Sequence, residues 1–109
     1  MSQVEIILAN VSNVDSLRKM ARQCKVVINC VGPYRFYGDN VIQACLAEKT
    51  HTVDISGEPQ FLEGTQVKYH KEAEEKGVYI VGCCGFDCIP ADVGTAYLQQ
   101  KFNGDLNKL

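Results

Sequence analysis

Short apolar runs alternate along the chain with segments whose apolar residues recur every three or four positions. The apolar runs predict four strands, at residues 4–8, 25–31, 50–56 and 78–82. The periodic segments predict four helices, at residues 14–24, from 39 onward, at 59–76 and at 90–102. Regular alternation of strand and helix indicates an α/β fold, namely a parallel sheet with helices on both faces.

The strand at residues 25–31 is a continuous run of Val and Ile, which predicts burial on both faces, as in parallel sheets. Ser12 or Asn13 is suited to cap the first helix, because either side chain accepts a hydrogen bond from the backbone. Pro59 fits the first turn of the third helix, and Gly77 fits its end. The inner face of the second helix is predicted to be apolar and to consist of Val41, Ile42, Cys45 and Leu46.

The turns that follow the predicted strands are richer in polar residues and glycine than the turns that precede them. The following turns are "ANVSN", "NCVGPYRFYG", "DISGEP" and "CCGFDCIPAD", whereas the preceding turns are "QCK", "EKT" and "EKG". Right-handed crossovers bring the carboxyl ends of parallel strands to one edge of the sheet. Ligands of open α/β sheets bind outside that edge, so these turns are the candidate site.

The turn "NCVGPYRFYG" combines a tight bend with aromatic residues and a cation. Gly32 has no Cβ and allows another molecule to approach the backbone, while Pro33 turns the chain out of the sheet. Arg35 suits a phosphate or a carboxylate. An apolar wall for a flat ring is one interpretation of the aromatic residues, and a plug on top of the core is the other; they are Tyr34, Phe36 and Tyr37.

Carboxylates follow the third and fourth predicted strands. Asp54 and Glu58, with Ser56 between them, can orient a ribose or handle protons, or the two carboxylates can cap the next helix. Asp87 and Asp92 allow the same two interpretations, a helix cap or a group facing the cleft. Spacing alone leaves both alternatives open.

Composition narrows the class of protein. The chain has 109 residues, 46% hydrophobic and 22% charged, as expected of one globular domain or a piece of one. A formal net charge of −2 argues against nucleic acid as the main partner. No apolar run approaches the roughly 20 residues of a membrane span, and the start lacks a basic signal-peptide pattern. We therefore expect an intracellular protein, unless a targeting segment lies outside this sequence.

The six cysteines argue for thiols rather than for a disulfide framework or a metal site. Cys24, Cys30 and Cys45 lie within apolar patterns, which predicts buried free thiols. "CCGFDC" contains no C-x-x-C, and His51 and His70 follow no zinc spacing, so no metal site is expected.

The usual phosphate-binding motifs are absent from the sequence. No G-x-G occurs, so a dinucleotide fingerprint between a first strand and its helix is missing. No Walker loop, G-x-S-x-G elbow or H-E-x-x-H is present either. The chain therefore has polar and glycine-containing turns at one edge of the sheet but lacks the loop that usually binds pyrophosphate.

Three stretches resemble the saccharopine dehydrogenase-like oxidoreductases of eukaryotes: "VVINCVGPYRFYGDNVIQAC", "VDISGEPQFL" and "GCCGFDCIPADVG". The resemblance implies a longer protein, with two strands and a glycine-rich phosphate loop before Val4 and a substrate domain after Leu109. Residues 1–109 would be the later part of a Rossmann-type NAD(P)-binding domain, a partial fold without those first elements.

The resemblance also implies site residues. The cofactor-binding positions would be Asn10, Val11, Cys30, Val31, Gly32, Pro33, Tyr34, Ser56, Gly57, Gly85 and Phe86. The catalytic positions would be Asp87 and, with weaker support, Asp54. The chain departs from the family by having Cys83, Cys84 and Cys88 where small residues such as serine are expected. That exchange preserves size, and we expect no redox chemistry from it.

The function implied by the resemblance is that of an NAD- or NADP-dependent oxidoreductase, which transfers hydride at a carbon–nitrogen centre of a small-molecule substrate. The alternative is a non-catalytic nucleotide-binding scaffold associated with lipid droplets or membranes. A flavodoxin-like redox or phosphate-binding module is a third and less supported hypothesis. The family further implies lipid-droplet, mitochondrial or other membrane-associated localisation.

The missing strands predict an incomplete sheet. In the strand order 3-2-1-4-5-6, two absent strands would separate residues 4–8 from residues 25–31. Either these two runs pair directly, or another copy of the chain covers the free strand edges. Because exposed edges recruit partners, we expect a dimer or aggregation, and weak binding of NAD(P) by this segment alone.

Overall fold

The computed structural model describes residues 4–104, which form three strands and four helices. The elements are α1 (Val14–Ala21), β1 (Val26–Asn29), α2 (Tyr34–Glu48), β2 (His51–Asp54), α3 (Pro59–Lys76), β3 (Ile80–Val81) and α4 (Ile89–Lys101). The strands form a parallel sheet in the order β1-β2-β3, with Asn29 beside Asp54 and Val53 beside Val81. The prediction of an α/β fold around a parallel sheet is confirmed.

The first predicted strand is wrong. Residues 4–10 have no regular secondary structure, and Val4 and Leu8 are 88% and 92% exposed. A strand needs a neighbour to pair with its backbone groups. Within residues 4–104 this segment has no such neighbour, because it does not pair with β1 as one of our alternatives required. An apolar pattern predicts the tendency to form a strand, but a partner strand decides whether it forms.

Helices α1, α2 and α3 pack on one face of the sheet. The register places Val27, Thr52 and Ile80 on that face. Val27 packs with Leu17 and Ala21 of α1, whereas Ile80 packs against a second cluster that includes Tyr69 of α3. Helix α2 lies between the two clusters, and its predicted inner face is confirmed, since Val41, Ile42, Cys45 and Leu46 are all buried.

The opposite face of the sheet is exposed in the described chain. Val26, Ile28 and Val81 are 47%, 69% and 47% accessible, so burial alternates along β1. The expectation that this strand is buried on both faces is therefore wrong for residues 4–104. A continuous apolar run signals that both faces favour burial. The run does not indicate which helix or chain packs on the second face of the strand.

Three helices differ from the prediction at one end or more, and the fourth agrees with it at both ends. Helix α1 ends at Ala21, so Cys24 lies beyond it and is exposed rather than buried. Helix α2 begins at Tyr34 instead of Asp39. Helix α4 begins at Ile89, one residue before the predicted start. Helix α3 runs as predicted, with Pro59 in its first turn and Gly77 in the left-handed conformation at its end, at φ 65°.

Asn13 caps helix α1, and a charged cluster fastens that helix to α2. The Asn13 side chain accepts the backbone N–H of Ser16 at 3.1 Å, which selects Asn13 over Ser12 as the cap. Arg18 Nε donates to Glu48 Oε1 at 2.8 Å, and Arg22 Nε donates to Glu48 Oε2 at 2.9 Å. The hydrogen bonds from Arg22 and Arg18 lower the pKa of Glu48 from 4.5 to about 2.

This cluster predicts a pH dependence of stability. Because the pKa of Glu48 is lower in the folded state than in the unfolded one, its contribution is present above pH 4.5 and is lost toward pH 2. Glu48→Gln should therefore be less stable than the wild type at pH 6, and this difference should shrink as the pH falls through that window. Urea unfolding at a series of pH values measures the difference. Glu63→Gln, on an exposed position of α3, is the control, and a pH-independent gap for Glu48→Gln would contradict the assignment.

Two helical glycines predict opposite effects of the same substitution. A Cβ on buried Gly38 of α2 would overlap the ring of Phe61, whereas a Cβ on Gly64 of α3 meets no atom within 4 Å. Gly38→Ala should destabilise the chain by about 1–3 kcal/mol through overpacking. Gly64→Ala should stabilise it by about 1 kcal/mol through helix propensity. Denaturant melts of both variants check the pair, and equal shifts would show that the α2–α3 contact is looser than described.

Candidate functional site

The turns that follow the three strands meet at the carboxyl edge of the sheet. The Tyr34 hydroxyl, from the turn after β1, donates to the carbonyl oxygen of Asn29 at 2.8 Å. The backbone N–H of Cys84, from the turn after β3, donates to the carbonyl oxygen of Asp54 at 2.8 Å. The earlier turn at residues 10–13 is tied to α2, because Asn40 Nδ2 donates to the carbonyl oxygen of Val11 at 2.9 Å.

Glu58 caps helix α2 and not the helix that follows it. Its Oε1 accepts the backbone N–H of Tyr34 at 2.8 Å, and its Oε2 accepts that of Arg35 at 3.0 Å. These N–H groups open α2 and have no partner within the helix. The carboxylate also lies at the positive end of the helix dipole. Glu58 is thus a helix cap, one of the two roles considered, but it caps the preceding helix.

The early start of α2 moves the aromatic residues out of the predicted loop. Tyr34 is 6% exposed and packs on Phe61 with the ring centroids 5.5 Å apart, and burial raises its pKa. Phe36 is 64% exposed, and the Arg35 guanidinium lies 4.9 Å from its ring centroid. An aromatic wall made of all three residues, including Tyr37, is therefore wrong. Tyr34 plugs the core, as the alternative interpretation had it.

Asp54 joins the second and third turns. It is buried, and its Oδ1 accepts the backbone N–H groups of Ser56 at 2.9 Å and of Cys83 at 3.2 Å. A Cβ on Gly82 would overlap the end of the Leu62 side chain and would be in ordinary contact with this carboxylate, so glycine relieves crowding of the third turn against α3. Ser56 is fully buried, and its Oγ accepts the N–H of Glu58 at 3.1 Å. The polar groups of "DISGEP" therefore brace the edge of the sheet.

The cysteines differ from the prediction in two ways. Cys83 and Cys88 form a disulfide, contrary to the interpretation of the cysteines as thiols. Of the three thiols predicted to be buried, Cys45 is buried, whereas Cys24 and Cys30 are exposed. Burial raises the pKa of the Cys45 thiol to about 11. The signal for the disulfide lay in "CCGFDC", where a turn brings two cysteines together that are not spaced as C-x-x-C.

The predicted site residues fall into three groups by exposure. The exposed ones are Asn10, Cys30, Val31, Gly32, Pro33, Gly57, Phe86 and Asp87. Val11 and Gly85 are half-buried, and the side chains of Tyr34, Asp54 and Ser56 are buried. Only the exposed and half-buried positions can meet a ligand directly, while the buried ones support the turns that carry them.

A cavity that was not predicted lies beside this edge. It has a volume of about 680 Å³ and runs along α3 and β3, lined by apolar residues that include Leu62, Ala73 and Val78. Asp54, Gly82 and Cys83 also line it, and they connect it to the turns. No local sequence pattern signals this groove, because residues of separate segments line it.

Within residues 4–104, no three side chains of His, Cys, Asp or Glu are grouped as a metal ion would need. Over the same range, no helix combines the length and apolar character needed to cross a membrane.

Comparison with known proteins gives a consistent family. Residues 2–81 match the family model described as the saccharopine dehydrogenase NADP binding domain. A human "Saccharopine dehydrogenase-like oxidoreductase" is 57% identical over 96% of this chain and 24% of its own length. A "Lipid droplet localized protein" from Caenorhabditis elegans is 51% identical over 97% of this chain and 25% of its own length. A "Probable mitochondrial saccharopine dehydrogenase-like oxidoreductase" from Arabidopsis thaliana is 48% identical over 93% of this chain and 22% of its own length.

A solved structure shares the fold. Saccharopine dehydrogenase (L-Glu forming) from Saccharomyces cerevisiae superposes with a TM-score of 0.68 and 22% sequence identity, covering 84% of this chain and 19% of the yeast one. That similarity supports a Rossmann-like architecture for the sheet and helices described above. With the family model matching residues 2–81, the chain belongs to the saccharopine dehydrogenase NADP-binding domain family, and it spans 24% of the length of its human relative.

Proposed function

We propose that this chain is the cofactor-binding part of an NADP-dependent oxidoreductase and that its carboxyl sheet edge positions the nicotinamide end of the cofactor. The observation that carries the proposal is the family match over residues 2–81, which includes all three strands and the turns after β1 and β2. NADP, when bound, supplies or accepts a hydride. A carbon–nitrogen centre of a small-molecule substrate is the other reactant that we propose.

The edge fits a flat ring near the backbone. Gly32 is exposed, and a Cβ built on it would touch only Tyr34, at 3.6 Å from the ring. Gly57 is exposed too, with nothing within 4 Å of a built Cβ. Glycine leaves the backbone N–H and C=O groups of such turns open to a ligand. Residues 30–33 and Gly57 would thus hold the ribose and nicotinamide end.

The start of α2 does not suit the pyrophosphate. Helix N-termini bind phosphates through free N–H groups, but here Tyr34 and Arg35 donate theirs to Glu58. A phosphate at this place would meet a carboxylate. The pyrophosphate therefore needs a loop that this chain does not contain, in agreement with the absence of G-x-G.

The remaining candidates take different parts in this proposal. Asn10 and Val11 would lie near the adenine, and Gly85 and Phe86 near the reacting end. Asp87 is exposed in the turn before α4 and is the proposed group for holding substrate or a proton. Asp54 is buried on two backbone N–H groups, so we assign it to positioning the turns rather than to proton transfer.

The alternative is a nucleotide-binding scaffold without turnover. The name of the Caenorhabditis elegans relative favours localisation at lipid droplets, and the name of the Arabidopsis relative favours localisation in mitochondria. The two proposals share the cofactor site and differ only in whether hydride leaves it.

A test for NADPH oxidation distinguishes the oxidoreductase from the nucleotide-binding scaffold. The intact protein is mixed with NADPH and a panel of amino acids and keto acids, and the loss of nicotinamide absorbance is followed. Oxidation that depends on one substrate class supports the oxidoreductase, while NADPH binding without oxidation supports the scaffold. Failure to bind either NADPH or NADH would contradict both.

A matched pair of substitutions tests the location of the cofactor. Gly32→Leu places a branched side chain where the ring should approach, and NADPH affinity should fall by about tenfold or more, or roughly 1.4 kcal/mol. Gly64→Leu places the same side chain at an exposed position of helix α3 and should leave the affinity for NADPH unchanged. Calorimetric titration measures both, with circular dichroism as a check of folding. Equal affinity of the two variants would remove residues 30–33 from the site.

A further inference from the structure

The turn between β3 and α4 is closed by a covalent bond. Cys83 and Cys88 form a disulfide with their Cα atoms 5.8 Å apart, well within the range that the bond requires. Both residues are half-buried, so small reagents can reach them from solvent. The bond spans only the short segment that carries Gly85, Phe86 and Asp87.

Other cysteines of residues 4–104 form no disulfide, and two of them are exposed. Cys24 and Cys30 are free and lie at the surface, and half-buried Cys84 is free beside the disulfide. Exposed thiols persist in compartments that keep cysteines reduced, and disulfides found there respond to redox conditions or take part in catalysis. One disulfide in a chain that also has exposed free thiols is therefore expected to undergo reversible reduction.

The backbone at Cys83 needs to be held. Its φ is 61°, in the left-handed region that residues with a Cβ rarely adopt. Such a conformation persists where the surroundings impose it. Two restraints do so here, the disulfide to Cys88 and the hydrogen bond from the Cys83 N–H to Asp54 Oδ1 at 3.2 Å.

Asp54 is where this turn meets the rest of the molecule. Its carboxylate accepts the Cys83 N–H, and its carbonyl oxygen accepts the Cys84 N–H at 2.8 Å. Asp54 and Cys83 also lie together at one end of the 680 Å³ groove. Any release of Cys83 from the left-handed conformation would therefore withdraw a donor from a buried carboxylate and change that end of the groove.

We propose that Cys83 and Cys88 are a reversible dithiol–disulfide switch, which holds the β3–α4 turn against Asp54 when oxidised and frees that carboxylate when reduced. Oxidation fixes the Cys83 N–H on Asp54 and keeps both residues in the lining of the groove. Reduction lets Cys83 relax to an ordinary φ, so that Asp54 can accept a hydrogen bond from a ligand instead.

The oxidant is a low-molecular-weight disulfide, such as oxidised glutathione. The thiolate of one cysteine attacks a sulfur of that disulfide, which releases one small thiol and leaves a mixed disulfide on the protein. The thiolate of the second cysteine then attacks the protein sulfur and expels the other small thiol. Two protein thiols are oxidised to one disulfide, and one small disulfide is reduced to two thiols.

The first experiment equilibrates the intact protein in buffers of reduced and oxidised glutathione at several ratios. Free thiols are then alkylated and located by mass spectrometry. Cys83 and Cys88 should lose reactivity together as the oxidised fraction rises, while Cys24 and Cys30 stay reactive. A bond from Cys84 to Cys88, or alkylation of Cys83 and Cys88 at every ratio, would overturn the proposal.

The second experiment reads the consequence at Asp54 by hydrogen exchange of the backbone amides. Reduction of the wild type should speed exchange at Cys83 and Cys84 by about tenfold or more, since both amides are held by Asp54. Cys88→Ser should exchange fast in both buffers, and Cys24→Ser, at an exposed cysteine outside the site, should behave as the wild type. Exchange that is independent of redox state in the wild type would overturn the proposal. Neither readout involves a nucleotide, so the result is separate from that of the NADPH experiments.

Discussion

The carboxylate of Glu58 at the start of α2 is the interaction on which the candidate site depends. It accepts the first two backbone N–H groups of that helix, from Tyr34 and Arg35. One side chain thereby ties the turn after β2 to the turn after β1. It also sets the start of α2, and that start directs the Tyr34 ring into the core against Phe61. The edge of the sheet is ordered by the chain's own anion, at a place where related folds often bind a phosphate.

Asp54 does for the third turn what Glu58 does for the first. Its buried carboxylate accepts N–H groups from its own turn and from Cys83, and glycine at position 82 avoids an overlap with Leu62 of α3. The three turns therefore form one connected network of backbone groups and carboxylates. These hydrogen bonds, and not the sheet itself, are the route by which the proposed change at Cys83 and Cys88 would reach the other turns.

The packing of the chain is one-sided. Helices α1 to α3 cover one face of the sheet, the other face exposes Val and Ile, and α4 has no buried residue. The radius of gyration is 16.8 Å, compared with about 13 Å for a compact domain of this length. Exposed apolar surface of this kind marks a site of further packing. The chain spans about a quarter of the length of its human relative.

Local sequence patterns correctly predicted those features that depend on a single segment of the chain. The apolar stripe of α2 and the Pro59 and Gly77 limits of α3 were predicted, because periodicity and backbone preference are properties of the local sequence. The start of α2 was not, since its cap arrives from a residue 24 positions along the chain. The strand at residues 4–8 failed for a related reason, as its pairing partner is not a local feature.

The candidate site divides in the same way. That the turns gather at one edge follows from a parallel sheet with right-handed crossovers, and this could be predicted from alternating elements. The distribution of roles within the edge could not. Whether Tyr34 faces a ligand or the core, which helix Glu58 caps, and whether Cys83 meets Cys88 depend on distances between separate segments. The sequence by itself determined the order of elements and the edge that carries the chemistry, because both arise from local periodicity and chain handedness. Only the tertiary structure decided which polar groups are already used by the protein and which remain for a ligand, because hydrogen-bond partners are chosen by proximity in space.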